Sequence, residues 1–433
     1  MESIWQSTAL SRFPHLTGNV KTDVLIIGGG MAGLLCAHQL TQAGIDCIVV
    51  EAREIGRGIT KGTTAKVTAQ HGLVYRKMTE KYGAETAGGY LEANEKAVEA
   101  FRKLCQHMEC DWEDQNNFIY SATDRGSLEA ELNALRSLHF PAEFEEGLPL
   151  PFPTAGAVMF PNQGQFHPLK FLNELSKELV IYEQTPVREM AGNYAATDYG
   201  TISADSIVVS THFPFLNKHG SYFMKLYQQR SYVLALENAP QLEGMYLDAA
   251  ENGLSFRHHG NTLLLGGGGH RTGKPGGGWP ELEDTANAFY PDAKITHRWA
   301  TQDCMTLDTI PYIGQYSKNT PNLYVATGFN KWGMTSSMVA ARILCDLVLR
   351  KTNPYADIFS PSRSMLHKQL GINLMESTKN LLTPTAPRCP HLGCALKWNR
   401  QERSWDCPCH GSRFTEDGRL IDNPATGNFR KRT

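Results

Sequence analysis

The sequence has no run of 18 or more apolar residues, so no helix long enough to span a bilayer is expected. Neither charge dominates: 42 basic side chains stand against 44 acidic ones, for a net charge of −2. Nothing in that balance points to nucleic acid or to an anionic membrane surface. The opening MESIW lacks the basic start and apolar stretch of a secretory signal, and the expected compartment is the cytoplasm. Internal repeats and low-complexity tracts are missing too. What remains is an ordinary globular composition, 41% hydrophobic and 20% charged over 433 residues. That is room for two or three domains with cores that need no staples.

Six of the ten cysteines are scattered between Cys36 and Cys345 and read as reduced core residues. The other four, Cys389, Cys394, Cys407 and Cys409, crowd near the end beside histidines. A dense cluster of this kind points to metal.

Near the start, an apolar run over 23–27 predicts a buried strand, a helix-like pattern follows over 32–43, and a second strand over 45–50 ends at Glu51. This is a βαβ unit. Its turn reads Gly28-Gly29-Gly30-Met31-Ala32-Gly33, a G-x-G-x-x-G. Gly28 allows the tight turn, Gly30 lets backbone approach a pyrophosphate, and Gly33 lets the helix pack close to the sheet. The helix N-terminus favours the phosphate charge, and Glu51 can accept hydrogen bonds from ribose hydroxyls. The motif suits FAD and NAD equally, and a structural glycine turn is the plain alternative.

Further along, helical periodicity covers 74–110, 127–138 and 168–179. Strands are expected over 118–121, 180–183, 207–210, 232–237, 262–266 and 323–327. Gly328-Phe329-Asn330-Lys331-Trp332-Gly333-Met334-Thr335 then opens a helix over 335–349. A second glycine-led helix N-terminus can meet another part of an extended cofactor; otherwise it is an ordinary strand–helix turn.

The order of these pieces resembles the D-amino-acid oxidase superfamily of FAD-dependent oxidoreductases, which includes glycine and sarcosine oxidases. The 328–335 turn is similar to that family's second signature, Phe166-His167-Pro168 to another, and 58–70 (GITKGTTAKVTAQ) to a loop threaded beside the flavin. The resemblance implies an α/β protein with a Rossmann-like FAD-binding domain and an inserted antiparallel-sheet substrate domain. The FAD domain would be discontinuous (20–80, 150–212, 305–353), with the substrate domain from 81–149 and 213–304. The implied FAD contacts are Gly28, Gly30, Met31, Ala32, Gly33, Glu51, Thr63, Thr64, Val187, Gly328, Gly333, Met334 and Thr335.

The cysteine-rich end reads Cys389-Pro-His391 and, 15 residues later, Cys407-Pro-Cys409-His410. Two thiolates and two imidazoles can bind one zinc or divide between two irons. One Cys and one His per loop suits a cluster gripped by two similar loops. CPHLGC and CPCHGS resemble the two loops of Rieske proteins, which implies a [2Fe–2S] cluster on Cys389, His391, Cys407 and His410. It also implies a loop-to-loop disulfide between Cys394 and Cys409. The module at 388–433 is expected to be small and all-β, with Trp398 and Trp405 in its core. A proline-bearing linker over 354–387 precedes it, with room for a helical turn or two near 365–370. At this size the module buries little core and is expected to dock firmly on the flavoprotein.

Flavin chemistry needs no acid–base pair from the protein, and none is evident. His71, Gln302, Asp303 and Lys331 are candidates to face the flavin. Tyr232 and Arg257 are candidates to hold a substrate carboxylate, as a guanidinium does with two parallel bonds. The glycines at 266–269 lack the Lys-Ser/Thr of a P-loop and read as a sheet-edge turn.

Together these features imply an FAD-dependent oxidoreductase acting on the C–N bond of a small amine or amino acid. Its donor would be a small molecule, and its electrons would leave through the cluster to a quinone, a small redox protein or oxygen. An NAD(P)H-linked reductase and a redox sensor without turnover are the alternatives. Covalent flavin attachment through His71 or Cys304 is not expected: acid precipitation should release the flavin, and flavin retained in the pellet would show a covalent bond.

Overall fold

The computed structural model describes residues 2–251, 253–384 and 387–429. Positions 385–386 of the expected linker and 430–433 of the expected module lie outside the described residues. The βαβ unit consists of strand Val20–Ile27, helix Met31–Gln42 and strand Cys47–Val50. Val24 to Ile27 are all buried, as suits a parallel strand covered on both faces. Among the described residues its sheet has eight strands. Leu323–Thr327, Gly200–Val209, Val20–Ile27, Cys47–Val50 and Val180–Tyr182 run parallel in that order, and Tyr312–Gln315 closes one edge antiparallel. Helices Met31–Gln42, Gly333–Val348 and Ala84–Cys105 pack in succession against one another. Among the described residues no helix is long and apolar enough to cross a membrane.

The second sheet has nine strands among the described residues, in the order Lys294–Met305, Tyr227–Glu237, Thr262–Arg271, Ser255–His259, Met245–Asp248, Glu113–Ser121, Gly156–Gln165, Lys66–Val67, with Glu143–Glu145 on the side. It does not respect the boundaries expected from sequence. Gly156–Gln165 and Lys66–Val67 fall in segments assigned to the FAD domain, yet Gly156–Gln165 pairs with Glu113–Ser121, and Lys66–Val67 with Gly156–Gln165. Strand partners are chosen by long-range pairing, which no local pattern carries. The glycines at 266–269 do not form an edge turn either. They lie inside Thr262–Arg271: Gly266 is paired on both sides, Gly267 with Tyr232 alone, and Gly268 and Gly269 fall in a register shift between Arg230 and Tyr232.

An N-terminal arm braces the loop at 58–64. Trp5 is fully buried between His167 and His259 and donates Nε1–H to the Thr63 carbonyl at 2.7 Å.

The expected linker contains a 15-residue helix, Lys368–Leu382. Its pattern is inverted: Asn373 and Asn380 are buried, while Ile372, Leu374, Met375 (68% exposed) and Leu382 face outward. Apolar periodicity could not mark a face whose inward residues are asparagines. Both are bonded: Asn373 Oδ1 accepts from Arg271 at 3.0 Å, and the Asn380 carbonyl accepts from Ala395 N at 3.0 Å. The helix is thereby part of the support for the cysteine module.

That module is a four-stranded antiparallel sheet, Lys397–Asn399, Ser404–Asp406, Arg413–Thr415 and Leu420–Asp422. Its apolar cluster is small: the four cysteines with Leu396, Phe414, Ala425 and Phe429. Trp398 and Trp405, expected in this core, are half-buried with their rings 5.1 Å apart and tilted; Trp405 packs against the apolar cluster. The rest of its order comes from docking. Gln228 donates to the His410 carbonyl (2.8 Å), Gln302 to Gly411 O (2.9 Å), and Arg53 to Ile421 O (2.6 Å). Asn423 donates to Thr211 O (2.7 Å) and Phe213 O (2.8 Å).

Glu402 of the module enters the body between Arg230 and Arg413. Burial alone would raise its pKa. The charges of the two arginines, with hydrogen bonds from Arg230 and Tyr232, outweigh burial and hold it at about 2.

Two outcomes are expected. A fragment of residues 388–433, studied by circular dichroism and NMR, should not fold; a cooperative unfolding transition in the isolated fragment would contradict the docking account. The second concerns acid. Unfolded, Glu402 titrates near 4.5, so it contributes about 3 kcal/mol of stability that is complete above that pH and fades as pH falls toward 2. Denaturant titrations from about pH 6 to about pH 3 should show this loss, and Glu402→Gln should flatten it. An unchanged slope in the variant would reject Glu402 as the source.

Candidate functional site

A cavity of about 1440 Å³ runs from the first glycine turn, past the second sheet, to the cysteine module. At one end, Gly28 has φ +116° and sits so close to Ser210 that a Cβ would lie 2.8 Å from its carbonyl oxygen. A Cβ on Gly33 would lie 1.9 Å from Gly28 O, so only glycine lets the helix seat on the turn. The helix begins at Gly30 with no side-chain cap, which leaves an anion-favouring terminus at the cavity wall. The Glu51 carboxylate accepts from Gly29 N at 2.8 Å and Arg53 N at 2.9 Å, and burial raises its pKa. A glycine cradle, an uncapped helix start and an oriented acid at the strand end fit the pyrophosphate and ribose of a dinucleotide.

Most of the residues expected at the cofactor border this cavity: Gly28, Gly30, Met31, Ala32, Glu51, Thr63, Thr64, Val187, Gly328, Gly333 and Met334. Gly33 and Thr335 stand behind its wall. Thr335 Oγ1 is hydrogen-bonded to Thr68 O (3.1 Å) and to His71 Nε2 (3.0 Å). His71 reaches the wall, stacked on Trp332 at 4.8 Å and bonded through Nδ1 to the Tyr90 hydroxyl at 2.7 Å. Burial lowers its pKa to about 3, so the ring is neutral.

Lys331 borders the cavity too. Asp303, also in the wall, is pushed up by burial, and the Lys331 charge pulls it partly back.

Three expected substrate or flavin residues are engaged elsewhere. Arg257 does not border the cavity. It is fully buried, donates to Thr64 O (2.7 Å) and Ala65 O (3.0 Å), and lies over the Trp5 ring. It clamps the 63–65 loop, because its strand turns this side chain toward the arm and away from the cavity wall. Burial lowers its pKa to about 9. Gln302 reaches the wall, but its amide bonds Gln228, Gly411 O and Thr272, which ties the body to the module. The Tyr232 hydroxyl donates to Glu402 at 3.0 Å and is within 3.0 Å of His270 Nε2.

The structure adds residues that the sequence reading passed over: Arg230, Glu402, Arg413, His212 and Lys66 all border the cavity. Lys66 stood in the quoted 58–70 stretch, and its place in the sequence was the one signal available. Its Nζ is 3.4 Å from Ser255 Oγ. Burial, with the Arg257 charge behind it, lowers its pKa to about 7.

At the module, Cys389 and Cys407 are buried free thiols. The His391 and His410 rings lie 4.9 Å apart. Both Nδ1 atoms are buried with no hydrogen-bond partner among the described residues, an arrangement that asks for a ligand. Burial lowers the two imidazoles to about 4 and about 3, the neutral form that metal coordination requires. Cys394 and Cys409 are joined as a disulfide between the two loops. Two thiols and two orphaned imidazole nitrogens, one of each per loop, fit a cluster whose irons take different donors.

A family model described as FAD dependent oxidoreductase matches residues 23–347, and one described as Rieske [2Fe-2S] domain matches 363–432. The second match takes in the helix Lys368–Leu382. A Bacillus subtilis (strain 168) protein named for a Rieske 2Fe-2S cluster, YhfW, is 34% identical over 98% of this chain and 96% of its own. The cytochrome b6-f complex iron-sulfur subunit 3 of Nostoc sp. is 49% identical over 37 residues, 8% of this chain and 21% of that one.

Among solved structures, glycine oxidase from Geobacillus kaustophilus matches with a TM-score of 0.64 at 20% identity, covering 80% of this chain and 99% of that one. L-amino acid deaminase from Proteus vulgaris matches with a TM-score of 0.65 at 16% identity, covering 82% and 100%. At these identities the two structures speak for the fold. The chain belongs to the family of FAD-dependent oxidoreductases and carries a C-terminal Rieske [2Fe–2S] domain.

Proposed function

We propose that the protein oxidises the C–N bond of a small amine or amino acid and passes the electrons through the cluster to an external acceptor. One observation carries this reading. A single cavity is walled by the dinucleotide turn, by the second sheet and by the module residues Glu402, Asp422 and Asn423. Donor, flavin and cluster module would then share one enclosure. FAD supplies hydride acceptance, and the cluster supplies one-electron transfer.

The chain's own residues orient and exclude water. Gln228 and Gln302 pin the His410–Gly411 backbone to the cavity wall. The ring of His71 is neutral and held through both nitrogens, which suits a positioning role better than proton transfer. Lys66 Nζ, with a pKa of about 7, is suited to take the proton that an ammonium donor must lose before it can yield hydride. The structural neighbours named for oxidising or deaminating amino acids support the C–N reading by analogy of fold.

The test is an anaerobic screen of amines and amino acids while flavin and cluster absorbance are followed together. Some member should bleach both. In Cys407→Ser, which removes a cluster ligand, the same donor should bleach the flavin alone, and turnover with an external acceptor should fall at least about tenfold. Rapid bleaching by NAD(P)H with no amine present would overturn the proposal in favour of a nicotinamide-linked reductase.

A further inference from the structure

Arg230 lies on Tyr227–Glu237, a strand inside the second sheet, and its guanidinium borders the cavity. Tyr232, two residues on, presents its hydroxyl from the same face. A planar fork beside a phenol is the equipment that holds a free carboxylate bidentately. In this protein the equipment is already filled. Arg230 Nε donates to Glu402 Oε1 at 2.9 Å, and its Nη2 closes on Oε2. Tyr232 adds a bond to Oε1 at 3.0 Å, and Arg413 one to Oε2 at 2.7 Å. Asn399 Nδ2 adds a longer bond to Oε1 at 3.3 Å, so the accepting capacity of the carboxylate is fully taken up. Glu402 comes from the Rieske module, and it borders the cavity with Arg230, Tyr232 and Arg413.

We infer that Glu402 is a resident carboxylate that fills the anion clamp of the donor site, so that the donor is an amine bearing no carboxylate on the oxidised carbon. The inference rests on the reading of the cavity as a site of amine oxidation. A second carboxylate would have to lie beside Glu402 in a desolvated space, where two like charges repel, or else displace it. Displacement leaves Glu402 buried without its partners, the costly way to break a buried pair. Lys66 is not an equivalent fork: its ammonium is a point charge beside Ser255, and burial keeps a large share of it discharged near neutral pH. The cluster module would then set substrate class as well as carry electrons, and Glu402 acts as a specificity residue.

Two measurements on the holoenzyme test this. In the first, benzoate is the carboxylate probe and flavin absorbance is the readout. The wild-type spectrum should not move up to roughly 10 mM benzoate. Glu402→Ala, which empties the clamp, should bind it at least about tenfold more tightly, and adding Arg230→Met should abolish that response. Equal binding by wild type and Glu402→Ala, or a flavin-loaded Glu402→Ala that stays silent, overturns the inference.

In the second, wild-type flavin bleaching is compared for amino acids and their decarboxylated amines. The amine of each responding pair should half-saturate at least about tenfold lower; an amino acid that outdoes its amine overturns the inference. Should Glu402→Ala lose its flavin, the matched pairs decide alone. If no member of any pair bleaches the flavin, the amine-oxidation reading fails, and the benzoate measurement still decides whether the clamp is filled.

Discussion

Glu402 leaves a module with little core of its own and ends between the guanidiniums of Arg230 and Arg413, against the hydroxyl of Tyr232. A buried ion network of this kind adds less net stability than apolar packing of the same volume would, yet losing one partner costs about 3–5 kcal/mol. Such a network is therefore a device for register. Arg230 is fixed on a strand paired on both sides within the second sheet, while Glu402 lies beside Ser404–Asp406 and, with Asp406, is held by Arg413. Once the three side chains meet, the module has one seating. The loop that carries Cys407 and His410 is then set against Gln228, Arg271 and Gln302 of the body, and His391 of the other loop against Asn217.

The two cofactor sites are consequently not independent. Arg53 donates to the module's Leu420 and Ile421 carbonyls, while its backbone N–H helps to orient Glu51. Asn423 reaches from the module to the Thr211 and Phe213 carbonyls, just past Ser210, against which Gly28 is packed. The same side chains that finish the module's hydrogen bonding also border the dinucleotide end of the cavity. The module thus forms one wall of the cavity that the glycine turn begins.

How much of this was legible in the sequence depends on the range over which each feature is determined. The glycine turn at 28–33 and the acid at 51 were readable because each answers to backbone within a single βαβ unit. The pairing of Cys389 and His391 with Cys407 and His410 was readable because two short loops fix their spacing, and the structure brings the two loops together. Side-chain facing was harder. Arg257 and Arg230 both sit on strands of the second sheet, and nothing local says that one turns toward Trp5 and the other toward the cavity. Gln302 was placed at the cavity, but its bond to Gly411 O joins segments 109 residues apart. The helix Lys368–Leu382 escaped notice for a chemical reason: it is anchored by Asn373 and Asn380, so its buried stripe is polar. The strand Gly156–Gln165 was missed because its identity depends on Glu113–Ser121 pairing beside it.

A docked cluster can still relay electrons by swinging between two positions, and the contacts argue against that here. Undocking would exchange protein hydrogen bonds at the His410, Gly411, Pro408, Ile421, Thr211 and Phe213 carbonyls for bonds to water. Each exchange forfeits about 0.5–1.5 kcal/mol, and separating Glu402 from Arg230 adds a charged pair to the loss. Several kcal/mol against the open state leaves it well under about one part in a hundred of the population. Three of the bonds fall on the backbone of the loop that carries Cys407 and His410, a part of the module that a swinging carrier would need to free. With one loop pinned and Cys394 joined to Cys409 across the two, the separation between the cavity and the cluster loops is set by the fold. Electrons passing from a flavin in this cavity to a cluster on these loops would therefore cross a fixed separation, with no domain motion needed.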